Sequence, residues 1–84
     1  MEHTRHFNEI HPLSTEVGTN PNFIKNRVKE LKRKPEINMD IDGTFAIRKI
    51  KVLSITKAKV ETTVDNLGEE VYHFSCKAKI RLLD

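Results

Sequence analysis

Two stretches near the C-terminal end, Thr44–Val64 and Val71–Leu83, alternate apolar and charged residues. Ile50, Val52, Ala58, Val60, Val64, Tyr72, Phe74, Cys76, Ala78, Ile80 and Leu82 occupy even positions. Lys49, Lys51, Lys57, Lys59, Lys77, Lys79 and Arg81 occupy odd ones. Successive side chains of a strand point to opposite faces, so the pattern predicts strands with one apolar and one basic face. Asp65-Asn66-Leu67-Gly68-Glu69 reads as a five-residue loop between them. That loop sets Thr62 opposite Tyr72, Val60 opposite Phe74, Ala58 opposite Cys76 and Ser54 opposite Ile80. It also sets Lys57 opposite Lys77. A slip of one residue would mix the two faces.

Upstream, Asn20–Lys34 predicts a helix. Asn20 suits the N-cap and Pro21 the first helical position, where a missing N–H costs nothing. Ile24, Val28 and Leu31 form an apolar stripe with Phe23 beside it. Lys32, Arg33 and Lys34 complement the negative end of the helix dipole, and Pro35 stops the helix. Glu36–Met39 reads as a strand before the turn residues Asp42-Gly43. A three-residue loop Ile41-Asp42-Gly43 pairs Met39 with Phe45 and Ile37 with Ile47, gathering four apolar side chains. A two-residue turn would instead set Met39 opposite Ala46 and leave Phe45 on the polar face. The longer loop is the expected one.

The apolar positions change parity between Phe45/Ile47 and Ile50/Val52, and 21 residues exceed an ordinary strand. A bulge near Arg48-Lys49 is the expected cause. Met1–Thr19 is harder to read. Phe7, Ile10, Leu13 and Val17 recur at roughly helical spacing, but Pro12 and Gly18 interrupt them; Arg5–Ile10 fits an edge strand equally well. The expected fold is α+β, with one main helix packed on a three- to four-stranded antiparallel meander ending in a long hairpin. Residues 1–84 form one small domain: a partly ordered segment 1–19, the helix 20–34 and the sheet 36–83.

Composition refines this picture. With 84 residues the chain has a small core and little room for a deep cleft. The apolar fraction of 37% and charged fraction of 32% suit a folded domain, because the apolar residues are periodic. A net charge of +3 leans toward nucleic acid or acidic proteins. The single cysteine, Cys76, falls on the apolar face and is expected to be a buried, inert thiol. Met1–His6 has no apolar stretch and no run nears the about 20 residues of a membrane span, so a cytoplasmic setting is expected.

The candidate binding residues are Lys49, Lys51, Leu53, Ile55, Lys57, Lys59, Lys77, Lys79 and Arg81. Lysines at this density suit phosphate contact, which requires charge more than base-edge geometry. They equally suit a solvated face guarded against edge aggregation. Leu53 and Ile55 interrupt the lysine line and favour burial under the N-terminal segment or a protein interface with an apolar centre and charged rim. Lys25, Lys29 and Lys32 form a second basic stripe on the helix, directed away from the sheet's basic face.

Catalytic and metal chemistry find few residues. His3, His6 and His11 are loosely spaced, and His73 opposite Glu61 reads as a cross-strand polar pair. Ser14, Ser54 and Ser75 lack a His/Asp constellation, and three separate glycines build no phosphate loop. The run Leu31-Lys32-Arg33-Lys34-Pro35, followed by Gly43 and Ile47-Arg48-Lys49-Ile50, resembles the layout of small ribonuclease toxins of the RelE type. The resemblance covers the middle third of the chain and implies basic sheet residues acting on RNA. The closing strand lacks that family's terminal basic and aromatic pair.

The expected function is non-catalytic binding without cofactor or metal. A small accessory or inhibitory protein, of the kind phages encode, would dock this basic face on a larger protein or nucleoprotein with an acidic surface. Nucleic-acid binding through phosphates is the alternative, and the ribonuclease reading ranks third. Self-association through the odd face or an edge strand stays open.

Overall fold

The computed structural model describes residues 2–83; residues 1 and 84 of the expected domain lie outside them. Four strands are formed, β1 (Glu2–Pro12), β2 (Glu36–Ile41), β3 (Thr44–Val64) and β4 (Glu70–Leu82). A helical turn at Glu16–Gly18 and one helix, α1 (Phe23–Lys32), lie between β1 and β2. All pairings are antiparallel, in the order β1-β4-β3-β2. Strands hold 62% of the described residues and helical segments 16%. The α+β expectation of a main helix on a meander is therefore corrected: the fold is β-dominated, a curled four-stranded sheet with one short helix.

Two local facts produce the difference. The first is β1, which pairs with β4 from Glu2↔Arg81 to Pro12↔Val71. Its less exposed positions are His3, Arg5, Phe7, Glu9 and His11. Only Phe7 among these is apolar, so the strand carries no hydrophobic alternation to read. The second is the helix, ten residues long. Asn20 Oδ1 accepts the Asn22 N–H at 2.9 Å, forming a turn before the helix rather than capping it. The buried stripe rotates accordingly: Leu31 is buried and Phe23 and Val28 half-buried, whereas Ile24 is 38% exposed.

The β2–β3 hairpin takes the shorter turn. Asp42 and Gly43 have φ of 53° and 80°, and Ile41 pairs with Thr44, Met39 with Ala46 and Ile37 with Arg48. The expected three-residue loop is thus corrected to a two-residue turn, whose left-handed residues match the twist of the strands. In consequence Phe45 and Ile47 stand outward, 70% and 63% exposed.

β3 serves two partners. Residues 44–49 pair with β2 and residues 50–64 with β4. The expected break at Arg48-Lys49 is not where its alternation resets. Extra residues fall between Val52 and Ser54 and between Thr56 and Lys59. Each moves the inner face by one position. Ile50 and Val52 point inward, then Ile55 opposite Ala78, then Ala58 and Val60. Next to the loop the expected register holds, with Thr62↔Tyr72 and Val60↔Phe74. That register extends to Lys59↔Ser75; beyond it the pairs are Thr56↔Lys77 and Val52↔Ile80, so the expected Lys57–Lys77, Ala58–Cys76 and Ser54–Ile80 pairs do not form.

The inner face carries two joined clusters. Ile37, Met39, Ile50 and Val52 pack with Ala78 and Ile80. Leu31 packs with Phe74 and Cys76, and Phe7 and Ile55 touch both clusters. Phe23 meets Phe74 edge-on, with centroids 5.9 Å apart. Val17 is also buried, and Tyr72 lies against Gly18, where an added Cβ would fall 2.1 Å from the phenolic oxygen.

Phe74→Ala is expected to cost about 3–5 kcal/mol, because its side chain is fully enclosed. Gly18→Ala should cost about 1–3 kcal/mol through overpacking against the stiff Tyr72 ring. Urea denaturation measures both. Full stability in Gly18→Ala would show that the turn shifts freely and does not fasten the inner core.

Candidate polyanion-binding face

The outer face of β1, β4 and β3 is a grid of polar rows. Arg81 lies between Glu2 and Lys51, Lys79 between Thr4 and Ser54, and Lys77 between His6 and Thr56. The next row sets Ser75 between Asn8 and Lys59. Lys79, Lys77 and Lys59 thus each sit beside a hydroxyl group, whereas Arg81 faces Lys51 directly. That arrangement lowers the repulsion expected of a Lys57–Lys77 pair.

Two carboxylates temper the charge. Glu2 bridges Lys79 Nζ and Arg81 Nη2, both at 3.2 Å, and Glu61 accepts from Lys59 Nζ at 2.9 Å. Hydrogen bonds from Arg81 and Lys79 hold Glu2 below the usual carboxylate range, and the bond from Lys59 does the same for Glu61. These pairs are exposed, so solvent screens them. Among the described residues, Lys51, Lys57 and Lys77 have no carboxylate within ion-pair distance.

The remaining expected site residues separate. Lys49, paired with Glu36, continues the line of Lys51 toward the β2–β3 hairpin. Leu53 is the extra residue of the first bulge and is half-buried. Ile55 turns inward onto both core clusters, so the pair forms no exposed apolar centre. Thr4, His6, Ser54, Thr56 and Ser75 join the face although sequence reading passed over them. Their signal was positional: Ser54, Thr56 and Ser75 meet through the β3–β4 register, and Thr4 and His6 join them only once β1 is paired with β4.

A second concavity, of about 400 Å³, lies between α1 and β1. Arg27 Nε donates to Glu9 Oε1 at 3.0 Å and Oε2 at 2.8 Å, and its Nη2 also donates to Oε2. Arg27 Nη1 reaches Glu30 Oε2 at 2.7 Å, while His11 Nε2 lies 3.1 Å from Glu9 Oε1. Burial pushes the Glu9 carboxyl up, but the bonds and charges of Arg27 and His11 outweigh it and hold it below the usual range. The bond to Glu9 raises Arg27 in return, against burial. Both oxygens of Glu9 are engaged, so this network is a clamp joining helix to strand. Cys76 is buried, and desolvation raises its thiol, which suppresses nucleophilicity.

No protein-family model, curated protein or solved structure matches this chain. Among the described residues no helix is long and apolar enough to cross a membrane. Nor, among them, is there a cluster of three or more His, Cys, Asp or Glu side chains placed to hold a metal.

The clamp generates a pH prediction. A carboxyl lowered by folding stabilises the protein above its unfolded value and loses that contribution as pH falls through the folded one. Glu9→Gln should therefore cost about 1.5–3 kcal/mol at neutral pH, the range of a hydrogen bond to a charged group. Its difference from the parent should shrink below the carboxylate range. An undiminished difference in acid denaturation curves would assign the cost to packing.

Proposed function

We propose that this protein binds a polyanion without catalysis, and that nucleic-acid phosphates contact the outer face of β1, β4 and β3. The observation that carries the reading is the composition of that face. Lys51, Lys57, Lys59, Lys77, Lys79 and Arg81 stand against the carboxylates of Glu2 and Glu61, with hydroxyls between them. Phosphate contact uses cations and hydroxyl or amide donors in this manner. Leu53 and Ile55 had favoured a protein partner; the inward turn of Ile55 removes that support and moves phosphate ahead.

Docking on an acidic protein surface, as an accessory or inhibitory subunit, is a second reading with its own support. Phe45 and Ile47 are strongly exposed and lie on the same side of β3 as Lys49 and Lys51. An apolar anchor beside cations is the composition of a protein interface. The two readings require different side chains.

Fluorescence anisotropy with labelled single- and double-stranded oligonucleotides separates them. If all six cations meet phosphates, log affinity for a single strand falls against log salt with a slope near −4. Reversing Lys51, Lys59, Lys77 and Lys79 to Glu should abolish this binding and leave the circular dichroism spectrum unchanged. Unchanged affinity would reduce the face to solvated surface. Binding to a nuclease-treated protein partner that survives charge reversal but fails in Phe45→Ala/Ile47→Ala would replace the phosphate reading with docking.

A further inference from the structure

We infer that the second bulge of β3 builds a seat for a single phosphate group, formed by His6, Lys57, Lys59, Ser75 and Lys77. The inference rests on the polyanion reading and deepens it by naming where one phosphate sits. These residues, together with Cys76, line a concavity of about 140 Å³ on the outer face. They come from three strands. Lys77 pairs with His6 on one side and Thr56 on the other, and Ser75 pairs with Lys59. Lys57 belongs to the bulge itself.

Three features converge on this place. The first is charge: three lysines line the concavity, one of them, Lys59, also pairing with Glu61, and no carboxylate is among the lining residues. Gathering like charges is unfavourable until an anion arrives, and a phosphate supplies between one and two negative charges and several acceptor oxygens. The second is donor geometry. The Ser75 hydroxyl and the His6 ring, adjacent to the lysines in the grid, offer directional hydrogen bonds that ammonium groups alone lack.

The third feature is the backbone. Lys57 has φ of 55°, the left-handed conformation that a residue with a Cβ adopts at a cost. An extra residue there is needed to return the inner face to Ala58 and Val60. Glycine would perform that task without strain, and asparagine with little. What lysine adds is an ammonium group at the rim of the concavity. Left-handed backbone at Lys57, beside Lys77, which among the described residues has no carboxylate within ion-pair distance, points to function at that position.

The test uses the full chain and inorganic phosphate as probe. Amide NMR spectra are followed during phosphate titration at constant ionic strength, with chloride as balance. Saturable shifts confined to His6, Lys57, Lys59, Ser75 and Lys77 are expected. They should vanish in Lys57→Asn and persist in Lys51→Ala, a charge outside the concavity. Lys57→Asn should weaken oligonucleotide binding by about tenfold, a single strong charged contact, and Lys51→Ala by less. Thermal melting of Lys57→Asn and Lys57→Gly should equal or exceed the parent, so lost binding does not reflect lost folding.

Shifts that spread over every lysine without saturating would overturn the seat. So would equal losses of oligonucleotide affinity in Lys57→Asn and Lys51→Ala, while leaving the polyanion reading intact. Saturable phosphate binding in a chain that ignores oligonucleotides would keep the seat and remove nucleic acid as its source.

Discussion

A strand of 21 residues whose apolar positions differ in parity can keep them all against one core only if its alternation is reset along its length. β3 meets β2 with its first part and β4 with the rest, and two inserted residues perform the reset. The first brings Ile55 onto Ala78, where it joins the two core clusters; the second returns Ala58 and Val60 to the interior. Without them Ile55 would face water and the clusters would share only Phe7. The same insertions decide which lysines share a row on the outside. The core and the basic face are thus two consequences of one backbone device.

Packing energy concentrates where that device directs it. Among the described residues only Phe74 and Ile80 of the large side chains are wholly enclosed, so the core has little redundancy. The helix covers the Phe74 end through Leu31 and Phe23, and the Glu9–Arg27 clamp fixes the helix against β1. The β2–β3 hairpin covers the Ile80 end through Ile37 and Met39. Each lid is short, and each depends on a few side chains. Stability in a domain of this size is a small difference between large terms, so loss of either lid removes a substantial share.

Much of this was legible in the chain. The inward residues of β4 were visible as even positions, and the Asp65–Glu69 loop set the register at Thr62 and Val60 correctly. Leu53 and Ile55, apolar at odd positions between even runs, were the visible trace of the two bulges. Such a trace has two explanations, a local reset or an exposed patch, and alternation alone does not choose between them. β1 was obscured for a different reason. Its inner residues are His3, Arg5, Glu9 and His11 around a single Phe7, and their partners are tens of residues away. At Asp42-Gly43 two signals compete, because gathering apolar side chains favours a three-residue loop and turn geometry a two-residue one. In the structure the turn prevails and Phe45 is left in water.

The strand order has a temporal consequence. β4 is hydrogen-bonded on both edges along nearly its whole length, by β1 on one side and β3 on the other. It is also the last strand of the chain, whereas β1 is the first. During synthesis β1 therefore emerges long before β4, the strand it pairs with. Its alternating histidine, arginine and glutamate residues give it little tendency to collapse on anything else in the interval. Once β4 appears, closing that pair brings together segments separated by nearly the full chain, an entropic barrier typical of slow-folding β proteins. The polar character that hid β1 from pattern reading is what keeps a waiting edge strand soluble.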